Sequence, residues 1–247
     1  MLEKVDETVW LAEGEIVSFH GFPYPTRSAI IRLADDRLWV WSPVRLTDDL
    51  RRDVDRLGRV ADLVSPNKLH HLGLAAWSSA YPAAKLWGTS STVTRFPGLA
   101  FAGALADTAP PEWGPDIDQA WFRGSFMMDE IVFFHRLSRT AIVADLIQAF
   151  DEAFLRRHWS WWKRPLAKFG GISAAHPGIP ADWRRSFLSR KSARAAAAKV
   201  LGWKCERVVI AHGDWARSDG QAFLRRGLDW LGPDSRGVTS SSSDAFS

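Results

Sequence analysis

Histidine and aspartate side chains stand at the ends of several apolar segments of this chain. Asp145 ends the apolar run AIVA, and four of the seven histidines lie at predicted strand ends or in the loops that follow: His70, His71, His135 and His212. A carboxylate at the end of an apolar strand is costly unless something pairs with it, and loops at one sheet edge commonly carry function. Each residue alone could be a hydrogen-bonded strand end. As a set, they are candidates for a site of imidazole and carboxylate groups, which suit zinc, iron or manganese.

The cysteine content restricts the kind of metal site that this chain could build. Cys205 is the single cysteine, so the chain can form no internal disulfide and contains no CxxC pair for a zinc ribbon or a thioredoxin-like site. Any bound metal must therefore be held by His, Asp or Glu.

The elements that would position these residues follow from local patterns. Alternating hydrophobicity predicts strands at 8–11, 29–33 and 37–41. Thr47 caps a helix whose apolar residues share one face, and Gly58 provides its C-terminal stop. A strand at 61–64, a helix at 72–81 and a strand at 85–87 then give a β-α-β alternation.

The second half of the chain begins with a predicted hairpin of strands 130–134 and 140–144. His135 and Asp145 thus lie at opposite ends of the return strand, and only the loop geometry could bring both to one site. Three later elements are predicted: an alanine-rich helix at 187–201, a strand at 207–211 that delivers His212, and a last helix ending near Leu231, for which Ser218 and Gln221 form a capping box.

The segment SPNKLHHLG, residues 65–73, resembles a motif of metallo-β-lactamase-fold proteins, His-x-His-x-Asp-His followed by Leu or Ile and Gly. His71 matches the last histidine of that motif, and His70 occupies its aspartate position. The two earlier histidine positions fall on Pro66 and Lys68. The motif is therefore matched at its end and altered at its start.

Later segments extend the resemblance in the same order along the chain. His135 resembles the next family ligand, Asp145 resembles the aspartate that can bridge two metals, and His212 in Ala-His-Gly resembles the final ligand. More narrowly, the phrases SPNKLHH, HRLSRTAIVADL and IAHGD resemble the uncharacterised DUF4336 family, a divergent branch of this superfamily. The resemblance covers most of residues 8–231 and implies an α/β fold, the four-layer αββα sandwich of metallo-β-lactamase type.

The resemblance implies one metal ion rather than two. His71, Asp145 and His212 would be ligands of the second metal site of the family, with His70 as a nitrogen replacement for the missing carboxylate. His135 alone survives of the first site. One divalent ion, zinc before iron or manganese, is expected, and the ligands would leave room for a metal-bound water whose pKa falls towards neutrality.

A further hypothesis is that Lys68 and Asp145 are the catalytic residues. The Lys68 ammonium would occupy the region of the missing first metal and supply positive charge to a substrate oxyanion. The alternatives are a lysine that points to solvent or pairs with Asp145.

Positive charge and tryptophan are concentrated in one segment. Residues 152–199 hold eleven Lys or Arg against Glu152 and Asp182. Such a block could face an anionic substrate, nucleic acid or a membrane, or be a solvated helical surface. Its start, HWSWWKR, interleaves aromatic and cationic residues, but helical spacing predicts a core stripe that contains Leu155, Trp159, Trp162 and Leu166.

Length and composition bound the remaining possibilities. The hydrophobic fraction of 46% and charged fraction of 24% argue against disordered and fibrous classes. We expect one domain over residues 1–233, with the basic Trp-rich helical segment 152–199 inside it, and a disordered Ser-rich tail over 234–247. No apolar run approaches the roughly 18 residues that span a bilayer, and the N-terminus lacks the apolar region of a signal peptide, which together predict a cytoplasmic protein.

Three function classes remain open from the sequence. The first is a metal-dependent hydrolase that acts on a small, anionic substrate, and the second is a non-catalytic metal-binding or interaction module of the same fold. The third is nucleic-acid binding through segment 152–199, with a steep salt dependence and no dependence on Asp145. An iron-based redox role is a further alternative, and the oligomeric state is left open.

Overall fold

The computed structural model describes residues 2–232 and contains two large sheets. The first sheet has seven strands in the order β1-β2-β5-β6-β7-β8-β9, and a separate two-stranded sheet pairs β3 with β4. In chain order these strands are β1 Glu3–Asp6, β2 Val9–Glu13, β3 Val17–Phe19, β4 Phe22–Tyr24, β5 Arg27–Arg32, β6 Arg37–Trp41, β7 Arg59–Ser65, β8 Lys85–Gly88 and β9 Phe101–Ala104.

The second sheet has four strands, in the order β10-β11-β12-β13. They are β10 Ile117–Phe122, β11 Glu130–His135, β12 Thr140–Val143 and β13 Arg207–Ile210. β11 and β12 form the predicted antiparallel hairpin, whereas β12 and β13 are parallel. Because β12 and β13 are parallel, the loops that follow them leave the sheet at the same edge.

Helices cover the outer face of each sheet. Contacts place α1 Asp48–Leu57 and α2 Leu74–Ala80 on β7, and α3 Ser90–Arg95 on β8 and β9. On the second sheet, α7 Lys191–Gly202 packs on β10 and α8 Gly220–Leu228 packs on β13. The remaining helices are α4 Glu152–His158, α5 Arg164–Phe169, α6 Ala181–Arg185 and the 3-10 turn Asp229–Leu231.

Side-chain alternation in β6 shows how the four layers are joined. Trp39 and Trp41 belong to the core that also contains the strands of the second sheet, while Leu38 and Val40 pack with the residues of α1 and α2. All four side chains are fully buried. One strand therefore supplies both cores through its period of two, and the αββα arrangement agrees with the predicted fold.

The structure confirms some local predictions and corrects others. The Thr47 hydroxyl accepts the Leu50 amide at 3.2 Å at the start of α1, as expected of an N-cap. The predicted capping box of Ser218 and Gln221 is wrong. Asp219, in the left-handed conformation with φ 55°, precedes α8, and the Gln221 amide instead donates to the Leu201 carbonyl.

The predicted core stripe of the Trp-rich segment is only half correct. Leu155 and Trp159 are buried, but Trp162 and Leu166 are 58% and 47% exposed. The chain leaves α4 at Trp159 with extended backbone angles and resumes a helix only at Arg164. A single helical periodicity therefore does not run through the segment.

Two further predictions concern the C-terminal tail and membrane-spanning helices. The predicted tail 234–247 lies outside the described residues. Within residues 2–232, no helix is long and apolar enough to cross a membrane.

Candidate metal centre

Two of the candidate ligands follow neighbouring parallel strands at equivalent positions. Val143 of β12 pairs with Ile210 of β13, and Asp145 and His212 each lie two residues beyond that pair. The Ala211 amide donates to the Val143 carbonyl at 3.1 Å, which extends the parallel pairing towards the loops. The sheet register therefore brings these side chains together from positions 67 residues apart in sequence.

The third candidate ligand comes from the other sheet. His70 lies in the loop after β7, and the Pro66 carbonyl of this loop accepts the Ile131 amide of β11 at 2.9 Å. This bond ties the end of β7 to the second sheet beside the β12 loop. His70 Nε2 consequently lies 3.2 Å from Asp145 Oδ2.

His70, Asp145 and His212 form a group whose ligand atoms all lie within 4.8 Å of one another. His212 Nε2 is 3.2 Å from Asp145 Oδ1, while His70 Nε2 approaches the other carboxylate oxygen. The side chains of all three residues are almost completely buried. Within residues 2–232, this is the cluster whose geometry suits a metal ion.

The two imidazole rings are held by hydrogen bonds on their far sides. His212 Nδ1 donates to the Pro25 carbonyl at 2.7 Å, and His70 Nδ1 lies 2.6 Å from the Ser42 hydroxyl. The Trp41 ring stacks on His70 with a centroid distance of 5.8 Å. Since Nδ1 of His212 carries the proton, its Nε2 in the neutral ring presents a lone pair to the site.

The Asp145 carboxylate is held by amides from both sheets. Asn67 Nδ2 donates to Oδ2 at 2.9 Å, and Gln148 Nε2 donates to Oδ1 at 3.2 Å. Burial opposes ionisation, but the charges and hydrogen bonds of His70 and His212 hold the pKa of Asp145 well below its usual value. Asp145 is therefore the anionic centre of the group.

Glu130 fixes the loop that carries Asp145. Its buried carboxylate accepts the amides of Ala144, Asp145 and Leu146 at 2.8–3.2 Å and the Asn67 side chain at 3.1 Å. Burial, followed by the charge of Asp145, raises the pKa of Glu130 to about 8. The sequence reading missed both Glu130 and Asn67, although a glutamate that opens the apolar strand EIVFFH was a usable signal.

His71 does not join the group, so the predicted convergence of His71 with Asp145 and His212 needs correction. Its ring stacks on Phe96 at a centroid distance of 4.4 Å, and its buried Nδ1 has no hydrogen-bond partner within residues 2–232. Burial, and then the charge of Arg95, lowers the pKa of His71. His70, predicted as the replacement ligand, is the residue that reaches the site.

His135 and Lys68 also lie apart from the group. His135 ends β11 at the opposite end of the hairpin from Asp145, and its Nδ1 lies 2.8 Å from the Ser138 hydroxyl. Lys68 Nζ donates to the Met127 carbonyl. The loop geometry thus keeps His135 away, and the ammonium of Lys68 is directed to a backbone acceptor rather than to Asp145.

The three grouped residues line a large cavity of about 810 Å³. The hairpin β3–β4 contributes Val17, Phe19 and Tyr24 to its wall, and His71 and Arg95 line it on the side of α3. A cavity of this size accommodates a drug-sized molecule. The site therefore has room for a substrate beside the candidate ligands.

The donor set fits a divalent metal ion. Two imidazole nitrogens and one carboxylate are ligands that zinc, iron and manganese accept. His212 Nε2 lies 3.2 Å from an Asp145 oxygen, and in the neutral ring its lone pair would face that oxygen, an arrangement that a cation between the two atoms would stabilise. Each histidine is also oriented by a partner on its other nitrogen, as metal-binding histidines usually are.

Comparison with solved structures identifies metallo-beta-lactamases as structural relatives. The one from Pontibacter korlensis aligns with a TM-score of 0.57 and 15% identity, over 94% of this chain and 98% of that chain. The one from Hirschia baltica gives 0.61 and 15%, over 94% and 98%. DIM-1 metallo-beta-lactamase gives 0.62 and 14%, over 94% and 95%. At such identities the likeness shows the fold alone.

Comparison of the sequence with known families and curated proteins finds one family. No curated protein matches the chain. Residues 6–155 match the family model described as a domain of unknown function, DUF4336, a range that includes His70 and Asp145 but ends before His212. Since that range exceeds half of the sequence, the chain belongs to the DUF4336 family and has the fold of the metallo-β-lactamases.

Proposed function

We propose that this protein is a metal-dependent hydrolase that uses one divalent ion, zinc before iron or manganese. The ion would be held by His70, Asp145 and His212. The observation that carries the proposal is the convergence of these three side chains, within 4.8 Å, on the wall of one cavity. Because the proposed ligands come from both sheets, we propose that the two sheets form one domain.

An ion at this position would polarise a substrate carbonyl or phosphoryl oxygen and activate a water molecule for attack. The protein itself supplies orientation. Asn67 and Gln148 hold the two oxygens of Asp145, and the Pro25 carbonyl holds His212. Such fixed groups lose little freedom when the ion binds, which favours a defined site.

We further propose that the substrate carries an anionic group, which Arg95 binds. Arg95 lines the cavity and lies over the Phe96 ring at 5.6 Å from the centroid. Among residues 2–232 no carboxylate pairs with its guanidinium, whereas Arg45 at the same cavity is paired with Glu15. A free guanidinium beside an apolar wall is a typical carboxylate or phosphate recognition group.

Two residues change role in this proposal. His71 becomes a wall residue next to Arg95 rather than a ligand, since its ring stacks on Phe96. Lys68 is not given the oxyanion role, because its ammonium donates to the Met127 carbonyl. Asp145 keeps its place as the carboxylate that contacts the ion.

Elemental analysis tests the ligand set directly. Protein purified without added metal is analysed for zinc, iron and manganese, and wild type is compared with His70→Ala, Asp145→Asn and His212→Ala. We expect about one ion per wild-type chain and loss from the three variants. His71→Ala and His135→Ala serve as matched controls and should keep the metal. Metal-free wild type, or full occupancy in His70→Ala, would overturn the proposal.

A hydrolysis screen separates the enzyme from a non-catalytic metal-binding module. Esters, lactones and thioesters are each tested in pairs, one neutral and one carrying a carboxylate, and phosphodiesters, which are anionic themselves, are tested alone. We expect turnover to disappear in Asp145→Asn. In Arg95→Gln we expect KM to rise for the anionic substrate of each pair and to stay unchanged for the neutral one. A metal-loaded protein that hydrolyses none of these classes would favour the module. An equal effect of Arg95→Gln on both partners would contradict the role of Arg95.

A further inference from the structure

Four large apolar side chains are exposed together around α5. Trp161 is 78% exposed, Trp162 58%, Leu166 47% and Phe169 80%. We call these four residues the α5 surface. Large exposed apolar residues are ordinary when scattered, but a contiguous group marks an interaction site.

Three members of the α5 surface, Trp162, Leu166 and Phe169, lie at helical spacing in α5 or in the turn before it. Leu166 and Phe169 are three residues apart in α5 and share one side of that helix. Trp162 precedes Leu166 by four residues, in the turn that leads into the helix. The adjacent Trp159 is buried instead, and its indole donates to the Pro23 carbonyl at 2.9 Å. The segment is thus anchored by one tryptophan while two others point away from the core.

Unneutralised positive charge surrounds the α5 surface. Residues 152–169 contain five Lys or Arg and one acidic residue, Glu152, which is already paired with Arg156. The Lys163 ammonium lies 5.1 Å from the Trp162 ring and donates to the Gly21 carbonyl. Among the described residues, no carboxylate pairs with Arg157, Lys163 or Lys168. The surface therefore combines apolar side chains with cations that lack protein counterions.

We propose that the α5 surface docks the protein on an anionic phospholipid membrane. Tryptophan and phenylalanine insert at the boundary between headgroups and acyl chains, and neighbouring lysines and arginines contact anionic headgroups. The occupant is identified by charge complementarity together with the apolar stripe. Nucleic acid would use the cations and stack on tryptophan, but it gives no role to the aliphatic Leu166 or to the exposed Phe169 on the same stripe.

The α5 surface lies next to the hairpin β3–β4, which also lines the cavity. Phe22 of the hairpin β3–β4 packs on Trp159 at a centroid distance of 4.8 Å, and Lys163 binds the hairpin at Gly21. The same hairpin supplies Phe19, 41% exposed, to the cavity wall. The membrane-facing surface and the wall of the cavity thus share one structural support. The docking proposal does not depend on metal binding or hydrolysis.

Vesicle co-sedimentation with the full-length protein tests the proposal. Wild type is mixed with vesicles of phosphatidylcholine alone and of phosphatidylcholine with about one-third phosphatidylserine. We expect binding to the anionic vesicles that falls steeply as salt is raised. The double variant Trp162→Ser/Phe169→Ser should bind at least about tenfold more weakly, and Lys168→Gln about fivefold more weakly.

Matched controls make the experiment decisive. Leu137→Ser changes a 74% exposed leucine in a different part of the fold and should leave vesicle binding unchanged. All substitutions are at exposed positions, so circular dichroism should show an intact fold. Equal binding by all variants, or equal binding to neutral vesicles, would overturn the proposal. So would binding of a single-stranded oligonucleotide without vesicle binding, or an α5-dependent dimer in sedimentation without vesicle binding.

Discussion

Replacing Asn67 by alanine tests how the candidate site is supported. Asn67, the single asparagine of the chain, is completely buried. Its Nδ2 donates to Asp145 Oδ2 at 2.9 Å and to Glu130 Oε2 at 3.1 Å, and its Oδ1 accepts the Leu69 amide at 2.8 Å. Asn67→Ala removes all three hydrogen bonds and leaves two carboxylates with one donor fewer.

The size of the effect follows from the types of bond that are lost. The hydrogen bond to the Asp145 carboxylate contributes roughly 1.5–3 kcal/mol, and the bonds to Glu130, whose pKa is raised to about 8, and to the Leu69 amide contribute about 1 kcal/mol each, so the upper bound is about 5 kcal/mol. A water molecule that enters the vacated space would restore part of this. We therefore expect the free energy of unfolding to fall by about 3 kcal/mol, which corresponds to a Tm lower by roughly 6–12 °C for a chain of this size.

The substitution should also weaken metal binding. Loss of a group that orients a ligand typically costs about 10- to 100-fold in affinity. Urea unfolding in the presence of EDTA measures the structural effect alone, and titration with zinc measures the affinity. The control is Gln119→Ala, which removes a buried amide that donates to the Ala106 and Thr108 carbonyls. The control should lower stability without changing zinc affinity.

The outcome that would refute this reasoning is specific. A loss of less than about 1 kcal/mol would mean that Asn67 does not stabilise the two carboxylates. A zinc affinity that changes equally in Asn67→Ala and Gln119→Ala would mean that Asn67 acts only on the fold.

Three further changes give independent checks. Gly213→Ala should lower stability and metal content, because φ is 103° and the added Cβ would lie 2.1 Å from the Ala149 carbonyl oxygen. The control Gly202→Ala places its Cβ in open space and should change neither quantity in the same assays. Trp77→Phe should cost about 1–2 kcal/mol in urea unfolding through the lost bond to the Val44 carbonyl, and a value near zero would contradict that role. Burial opposes ionisation of Asp118, but its bond to Lys199 holds its pKa below the usual value. The ionised carboxylate therefore stabilises the fold above the unfolded-state pKa near 4, and this stabilisation is lost as pH falls through the lower folded-state pKa. The stability difference between wild type and Asp118→Asn should therefore shrink on acidification, and a difference that is constant with pH would contradict the assignment.

The parts of the fold that were predictable have strong local signals. β6 matches its predicted span because Leu38 and Val40 alternate with Trp39 and Trp41 between two apolar environments. α1 begins after Thr47, whose hydroxyl satisfies a helix amide. In contrast, the buried face of the Trp-rich segment was not predictable from spacing. The helix breaks at Trp159, whose indole bonds to a distant carbonyl.

The choice between His70 and His71 shows where sequence reasoning stops. Both residues lie in an irregular loop, where neither the period of a strand nor that of a helix decides which side chain faces inward. The deciding contacts come from distant segments. The ring of His70 stacks on Trp41 and contacts the Ser42 hydroxyl, and the ring of His71 stacks on Phe96. No spacing within the motif SPNKLHH contains that information.

The support of Asp145 does not depend on the side chain of Pro66. Pro66 keeps a structural role through its carbonyl, which accepts the Ile131 amide, and this bond is available to any residue type at that position. Asn67 then reaches across to both Glu130 and Asp145. Because Glu130 lies on β11 and Asn67 follows β7, the carboxylate at the centre of the site is fixed by both sheets at once. The framework that orients Asp145 therefore does not require a particular side chain at position 66.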